Sequence, residues 1–249
     1  MRDAAASVAI PLNIPVTALL FVALSAVPGR ALSTSTVDSL YFTRDQPGKL
    51  EDTLPLLEAE PDNPEALWRL GRSWVRLGER RDGKKAKLEA FERAKDALDR
   101  ALKGDAESVE AHYWHGIALG RIGQTRGIMR SLFMIGPMKR GMRRVLELDP
   151  KHSGAHHVLG EMYRQLPAFA GGSRALAVAE LERALELGPH HTAHYPALAQ
   201  AYLDAGRRED AIRVLKALDG VKMPADPPDA EGNREEARRL LDALVSGSR

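Results

Sequence analysis

Residues 145–189, VLELDPKHSGAHHVLGEMYRQLPAFAGGSRALAVAELERALELGP, contain the same stop signal twice. The pentapeptide LELDP ends at Pro150, and LELGP ends at Pro189. A helical pattern, a Gly-rich turn and a second helical pattern lie between them, and each proline ends a helix because it cannot continue one. A segment that repeats its own ending after about forty residues is typical of a unit in a stacked array. The same unit is therefore expected on both sides of this stretch.

One opening pattern recurs four times along the chain. Each copy has a small residue, with larger residues four and one positions before it and three positions after it. The small residues are Gly71, Gly116, Gly160 and Ala199, which lie 45, 44 and 39 positions apart. Within each copy, the small residue and its three larger neighbours lie on one helical stripe. The small residue on this stripe lets a partner helix approach closely. Each copy therefore predicts the first helix of an antiparallel pair.

These repeats predict how the whole chain is organised. Leu50, Leu54 and Leu57 form an apolar stripe typical of a half unit, and Asn233 can cap a last helix that buries Leu244 against the fourth unit. The expected divisions are a signal peptide or N-terminal anchor at residues 1–33, a linker at 34–46, an array at 47–220 and a linker with a capping helix at 221–249. Within the array, we expect the half unit at 47–62 and full units at 63–106, 107–150, 151–189 and 190–220.

The opening pattern resembles the tetratricopeptide repeat (TPR), whose signature is W-x2-L-G-x2-Y followed by A-x3-F and a closing proline. The segment from Leu67 to Trp74 is typical, with the small Gly71 between the two large residues. The resemblance covers residues 47–220 and implies an all-α, right-handed helical solenoid of antiparallel helix pairs with a C-terminal capping helix. A standard unit has roughly 34 residues. The longer spacing here predicts lengthened helices or protruding loops between the two helices of a unit.

Composition narrows the function of the chain. With 36 Lys and Arg against 34 Asp and Glu, the net charge of +2 gives no general affinity for polyanions, so nucleic acid is not an expected partner. The sequence has no cysteine, which excludes disulfides and thiol nucleophiles. Residues 1–33 combine Arg2 with an apolar run at residues 16–26, which is typical of an export signal or an uncleaved membrane anchor. The expected location is periplasmic or secreted, with membrane contact through this segment.

In tetratricopeptide arrays, the first helices line a concave groove, and the resemblance implies which residues of this chain face it. Aromatic side chains and arginines dominate the set, and guanidinium groups bind carboxylates with two parallel hydrogen bonds. We therefore expect capture of an extended peptide or an acidic chain terminus, with solvated residues balanced by glutamates as the alternative. The expected groove residues are Trp68, Arg72, Arg76, Tyr113, Ile117, Arg121, His157, Glu161, Arg164, Gln165 and Gln200.

Two apolar segments outside the opening pattern are further candidates for surface contact. Residues 124–137 include Leu132 and Phe133 and precede a basic run. Such a segment can pack on neighbouring units, or it can dock on an anionic membrane or a partner. The loop at residues 166–172 carries Phe169, which we expect to fill the gap between the helices of the third unit, with ligand contact as the alternative.

Catalytic and metal-binding patterns are weak in this sequence. Eight histidines occur, and His157 and Glu161 are one helical turn apart, but the H-E-x-x-H pattern is missing. No Walker loop, G-x-G-x-x-G or G-x-S-x-G pattern occurs either. We therefore expect neither an enzyme, nor a metal site, nor a cofactor.

The long units and the Gly171-Gly172 loop carry two looser resemblances. One is to the periplasmic T-component of tripartite (TRAP-type) transporters, whose members commonly carry a lipidated cysteine that this chain lacks. The other is to the regulator of microtubule dynamics proteins. Together they imply a scaffold for protein–protein interaction that captures a peptide segment or a partner protein. The alternative is a transporter-associated periplasmic component that handles a small-molecule ligand.

Overall fold

The computed structural model describes residues 33–246, with the backbone alone at residues 128–131, and this part of the chain is helical without a strand. Two short 3-10 helices, Ala168–Ala170 and Leu218–Gly220, accompany the α-helices. The α-helices are α1 (Thr34–Phe42), α2 (Thr53–Glu58), α3 (Pro64–Arg80), α4 (Lys84–Gly104), α5 (Val109–Arg126), α6 (Ile128–Leu148), α7 (Ser153–Gln165), α8 (Arg174–Leu187), α9 (His194–Asp204), α10 (Arg208–Ala217) and α11 (Pro227–Ser246). The predicted all-α repeat fold is confirmed.

The N-terminal segment predicted to be a signal peptide or anchor, residues 1–33, lies outside the described residues except for Ser33. Within residues 33–246, no helix has both the length and the apolar character needed to cross a membrane.

Helices α3 to α10 form four antiparallel pairs, and local sequence fixes where several of them begin. Asn63 accepts a hydrogen bond from the Glu65 amide ahead of α3, whose first residue is proline. The hydroxyls of Ser108 and Ser173 cap α5 and α8 in the same way. Such side chains satisfy backbone N–H groups that have no partner inside the helix. The helices therefore start where the sequence supplies a cap.

The extra length of the units lies mainly in their helices. Both α4 and α6 have 21 residues, and only Gly127 separates α5 from α6. Gly127 has φ of 100°, a backbone conformation that glycine adopts without steric cost. The repeat spacing left lengthened helices and protruding loops as alternatives. The first two units have lengthened helices, whereas the third has a longer loop between Gln165 and Arg174.

The small residues of the opening pattern lie where paired helices touch. A Cβ atom at Gly71 would lie 2.7 Å from Cδ1 of Leu98 in α4, and one at Gly160 would lie 2.5 Å from Cγ of Leu181 in α8. Both leucines are fully buried. Because real Cβ atoms do not approach other carbons so closely, each glycine sets the distance between its two helices.

The expected linker at residues 34–46 instead contains a helix. Helix α1 buries Val37 and Tyr41, and Val37 packs with Leu57 of α2 and Leu70 of α3. A nine-residue helix is marginal in water by itself, so this contact with the array stabilises it. The helix expected at residues 47–60 is also shorter, since α2 spans Thr53–Glu58. Leu50 is buried, but it lies in the turn before α2.

The last helix, α11, begins six residues earlier than Asn233, the predicted cap. Its first residue is Pro227, and a proline is favoured at this position because no hydrogen bond is lost there. Asn233 lies inside the helix and donates a hydrogen bond to the Thr192 hydroxyl at 2.9 Å. Ala237 and Leu244 pack into the same apolar cluster as Leu198 of α9. Helix α11 therefore covers the fourth unit, as predicted for a capping helix.

This cover can be tested with neighbouring residues of α11. We expect Leu244→Ala to lower the free energy of unfolding by about 2 kcal/mol, because Leu244 is 9% exposed at the edge of the cluster. Val245→Ala is the matched control, since Val245 is 59% exposed and its replacement changes stability by less than about 0.5 kcal/mol. Urea denaturation measures both values, and equal values for the two variants would contradict the capping role.

Candidate functional site

The predicted groove lies along the first helices of the units. Helix α3 contacts α5, α5 contacts α7 and α7 contacts α9, as inner helices of a curved array do. The expected groove residues thus belong to adjacent helices that share one face. Their surroundings differ strongly from one end of this groove to the other.

Helix α1 covers the N-terminal end of the groove. Trp68 and Arg72 are each 7% exposed, so this structure does not offer them to a partner. Asp38 of α1 pairs with Arg72 at 2.8 Å and with Arg69 at 3.2 Å. Burial disfavours the charge on Asp38, but hydrogen bonds from Arg69 and Arg72 outweigh burial and lower its pKa. Arg72, which was predicted to bind a peptide, therefore holds α1 in place, and Trp68 is buried beside it.

A cluster of arginines and a tyrosine follows, where α1 ends. The guanidinium carbons of Arg44 and Arg72 lie 4.3 and 3.6 Å from the ring centroid of Tyr41. Arg76 donates a hydrogen bond from Nε to the Tyr41 hydroxyl at 3.2 Å and one from Nη1 to Glu79 at 3.0 Å. The tyrosine therefore holds three guanidinium groups by cation–π contact and hydrogen bonding.

Two carboxylates from the other end of the chain complete this cluster. Asp226 and Asp229 pair with Arg44 at 2.5 and 2.9 Å and with Arg76 at 3.5 and 3.1 Å. Burial, and the neighbouring charge of Asp229, raise the pKa of Asp226 although Arg44 opposes the change. Burial also acts on Asp229, but Arg76 and Arg44 outweigh it and lower its pKa. We call the pair of guanidinium groups at Arg44 and Arg76 the Arg44–Arg76 site.

The middle of the groove carries Tyr113, Ile117 and Arg121, all half-buried. Tyr113 packs edge-on against Trp114 and lies 4.6 Å from the His152 ring, and burial raises its pKa above the usual range. The Arg121 side chain is 40% exposed and pairs with Glu79 at 2.6 Å. It borders an open cleft of about 540 Å³ that also contains two lysines. The cleft is lined by Glu79, Gly83, Lys84, Lys87, Phe91, Arg121, Gln124 and Thr125.

The C-terminal end of the groove holds His157, Glu161, Arg164, Gln165 and Gln200. Arg164 binds both carboxylate oxygens of Glu161, at 2.9 and 3.0 Å, and contacts Asp204 at 3.3 Å. Gln165 donates to the same glutamate at 2.5 Å, and His157 contacts His194 through the two Nδ1 atoms at 3.0 Å. Gln200 is half-buried on the neighbouring helix α9. The groove arginines are thus balanced by carboxylates, as the second interpretation of the sequence proposed.

The apolar surface candidates differ in exposure. Phe133 is 79% exposed and Phe169 is 88% exposed, whereas Leu132 is half-buried. Phe169 therefore does not fill the gap in the third unit, and that prediction is wrong. The loop closes through its backbone instead, with the Gly172 amide donating to the Pro167 carbonyl at 3.0 Å and Gly171 at φ of 91°. Exposure of Phe133 likewise contradicts its packing on neighbouring units.

The histidines are spread over several separate contacts. His156 pairs with Glu180, His115 with Asp99, and the His152 ring caps α7. Across residues 33–246, no three histidine or acidic side chains come together in a way that could hold a metal ion.

Sequence reasoning missed five residues that surround the groove. They are Asp38, Tyr41, Arg44, Asp226 and Asp229. The spacing of Val37 and Tyr41 was a signal for α1, because residues four apart share a helical face. The Pro227-Pro228 pair likewise indicated where α11 starts. No local pattern links Arg44 to a carboxylate 182 positions away.

The helix pairs, their small contact residues and the shared inner face define a tetratricopeptide-type helical repeat protein, a class that typically serves as a protein–protein interaction scaffold. A tetratricopeptide repeat model matches residues 168–230. The family model described as regulator of microtubule dynamics protein 1-3 matches residues 34–166, which is more than half of the chain. The chain therefore belongs to the regulator of microtubule dynamics family. Of the two looser resemblances found in the sequence, the second is the one that the family model supports.

Individual relatives agree with this assignment. The chain is 29% identical to regulator of microtubule dynamics protein 1 of Pongo abelii over 51% of this chain and 43% of that protein. It is 32% identical to the Bos taurus protein 1 over 49% of this chain and 38% of that protein. For protein 3 of Xenopus laevis the identity is 22%, over 74% of this chain and 42% of that protein. The chain spans less than half the length of these curated relatives.

Among solved structures, the chain is similar to a thermophilic TPR protein of Thermus thermophilus. The TM-score is 0.63 at 21% identity, and the similarity covers 82% of this chain and 95% of that chain. At this identity, the similarity shows the fold alone.

Proposed function

We propose that this chain binds an extended, acidic segment of a partner protein along its groove. The observation that carries this proposal is the row of half-buried arginines on successive first helices, Arg76, Arg121 and Arg164. Each already pairs with at least one carboxylate, so the groove has the chemistry that recognises acidic side chains. The binding is non-enzymatic and needs no cofactor.

Access favours the middle of the groove as the point of capture. Arg121 has the most exposed side chain of these three arginines and stands beside the open cleft with Lys84 and Lys87. Tyr113 and Ile117, both half-buried, lie on the same helix, α5. A partner carboxylate can compete with Glu79 for Arg121, because the Arg121 side chain is 40% exposed.

The test is a pull-down with the full chain as bait, in which bound proteins are quantified by mass spectrometry. We expect Arg121→Gln combined with Arg164→Gln to reduce recovery of at least one partner by about tenfold, which corresponds to about 1.4 kcal/mol. Hydrogen bonds to charged groups contribute about this much or more. The matched control combines Arg183→Gln and Arg213→Gln, which remove two exposed arginines from the second helices α8 and α10.

The outcome separates groove binding from other contact surfaces. Full retention of every partner by the double groove variant would contradict the proposal, whereas equal losses from both double variants would indicate an effect of total charge alone. The relatives are named for the regulation of microtubule dynamics, so tubulin is one partner to look for in the wild-type recovery. Selective loss of tubulin from the groove variant would connect this site with the regulation of microtubule dynamics for which the relatives are named.

A further inference from the structure

Contacts with Tyr41 and Glu79 position both arginines of the Arg44–Arg76 site without help from the two aspartates. Arg44 donates from Nη1 to the Tyr41 carbonyl at 3.1 Å and stacks on the Tyr41 ring. Arg76 is positioned by the Tyr41 hydroxyl and by Glu79. None of these contacts involves the C-terminal part of the chain. The two guanidinium groups are therefore held together by α1 and α3, with donors left over for an incoming anion.

The group that occupies this site comes from the opposite end of the array. Residues 224–230, PADPPDA, which we call the acidic segment, connect the fourth unit to the first turn of α11. The Asp229 amide donates to the Asp226 carbonyl at 3.3 Å, and this turn presents both carboxylates to the same two arginines. The acidic segment thus binds the groove as an acidic peptide would, although it belongs to the same chain.

Exposure is unequal on the two sides of this contact. Arg44 is 1% exposed, whereas the side chains of Asp226 and Asp229 are 25% and 40% exposed. Leaving a buried guanidinium group without a counter-charge is costly, so states in which Arg44 has no carboxylate partner are disfavoured. The partly exposed aspartates can return to water at much lower cost. Any group that displaces the acidic segment must therefore bring carboxylates of its own.

Ahead of α11, the acidic segment has one backbone hydrogen bond to the array, whereas Ala230 in the first turn of α11 is buried. Ala225 makes one backbone hydrogen bond to the His190 carbonyl, at 2.9 Å. Lys222, Met223 and Ala225 are exposed, and residues 221–226 form no helix. A tether of this kind keeps the segment near its site at millimolar effective concentration, yet it allows exchange with a competing ligand.

We propose that residues 224–230 act as a tethered competitor at the Arg44–Arg76 site, and that the partner displacing them carries two carboxylates three residues apart. This inference rests on the proposed function of the groove and names both its ligand class and its regulation. A partner segment reaches the Arg44–Arg76 site only in the fraction of molecules whose acidic segment has left it. The apparent affinity is lowered by that fraction.

The experiment uses the full chain and a fluorescein-labelled peptide of residues 222–232, KMPADPPDAEG, added in trans. Binding is followed by fluorescence anisotropy. We expect a chain with Asp226→Asn and Asp229→Asn to bind the peptide about tenfold or more tightly than the wild type does. The matched control combines Glu235→Gln and Glu236→Gln, exposed acids of the same helix, and gives the same change in net charge. It should bind as the wild type does.

Two further measurements keep the result interpretable. The peptide with asparagine at both aspartate positions should bind all the chains much more weakly, because it lacks the two carboxylates that pair with Arg44 and Arg76. A thermal melt checks that the double variant is folded, and the single Asp229→Asn variant replaces it if the double variant is not. Asp229 has the more exposed of the two carboxylates, which makes the single change the milder one.

Equal affinity of the wild type and the Asp226→Asn, Asp229→Asn chain for the peptide would overturn the inference. The two aspartates would then have only a structural role. Absence of peptide binding to every chain would overturn it too, since the site would then take no carboxylate in trans. Neither result touches the proposed function, which is judged separately on Arg121 and Arg164. Suppose that the groove variant loses a partner, while the wild type and the Asp226→Asn, Asp229→Asn chain bind the peptide equally well. This combination would support the proposed function and contradict only the role of residues 224–230 as a competitor.

Discussion

The Leu98→Ala variant is expected to lose about 3–5 kcal/mol of unfolding free energy, one of the largest effects for a single residue of this fold. Leu98 is fully buried in a cluster with Leu67, Trp68 and Val75. Truncation removes its contacts and leaves a cavity, because the surrounding helices relax only in part. Urea denaturation measures this loss, provided that the dependence of the unfolding free energy on urea concentration is the same for both proteins.

The same leucine decides the effect of a substitution on the opposite helix. We expect Gly71→Ala to destabilise the protein by about 1–3 kcal/mol, because the new Cβ atom would lie 2.7 Å or less from the Leu98 side chain. In a chain that already has Leu98→Ala, the new methyl group enters the cavity instead. The double variant should therefore lose at least about 1 kcal/mol less than the sum of the two single changes.

Gly232→Ala is the control for this double-mutant cycle. A Cβ atom at Gly232 meets nothing within 4 Å, and the residue lies inside α11. Its replacement should stabilise the protein by about 0.5–1 kcal/mol through helix propensity alone and should add independently to Leu98→Ala. Additive losses for Gly71→Ala and Leu98→Ala would show that this glycine does not set the distance between α3 and α4.

The contact between Gly71 and Leu98 also shows why the fold could be predicted from the sequence. Four small residues recur with large neighbours at fixed helical positions, and this periodicity directly reflects packing between the two helices of a unit. Helix α1 carries no repeat pattern, and its stability comes from burying Val37 and Tyr41 against other elements. Local sequence contains little information about such tertiary stabilisation.

The candidate site was predictable in its residue types and much less in its contacts. Register placed Arg76, Arg121 and Arg164 correctly on the first helices. It could not show that Arg72 is covered by α1, or that Asp229 of α11 reaches Arg76. Ion pairs between distant segments depend on how the two ends of the chain pack against the array. Hydrophobic periodicity gives no information about this packing. Phe169 shows the opposite error, since an apolar loop residue need not be buried.

The second large effect concerns a pair of histidines at the C-terminal end of the groove. His157 and His194 face each other through Nδ1 atoms 3.0 Å apart, so one ring donates its proton and the other must accept it. His194 is 4% exposed, and the His191 ring lies 5.3 Å from it. Burial, followed by the neighbouring charges of His157 and His191, lowers the pKa of His194 to about 2. A positive charge on His194 is therefore strongly disfavoured in the folded state.

This shift makes the folded protein sensitive to mild acid. The unfolded chain binds a proton at His194 with a pKa near 6.5, whereas the folded chain does not until about pH 2. The stabilising contribution is therefore complete above about pH 6.5 and falls as the pH is lowered from there towards pH 2. At pH 4.5 the loss from His194 amounts to roughly 2–3 kcal/mol, at about 1.36 kcal/mol for each pH unit. Burial also lowers the pKa of His157, although Glu161 opposes the change, which adds to the acid loss.

His194→Gln isolates this contribution because glutamine keeps a polar side chain but does not titrate. We expect the variant to be less stable than the wild type at pH 7, and to lose about 2–3 kcal/mol less than the wild type does between pH 7 and pH 4.5. Urea denaturation at several pH values gives both slopes, and His190→Gln serves as the control at an exposed histidine. Parallel pH profiles for the wild type and His194→Gln would contradict the assignment. A flatter profile for His194→Gln would show that proton binding at His194 in the unfolded chain causes much of the loss of stability in acid.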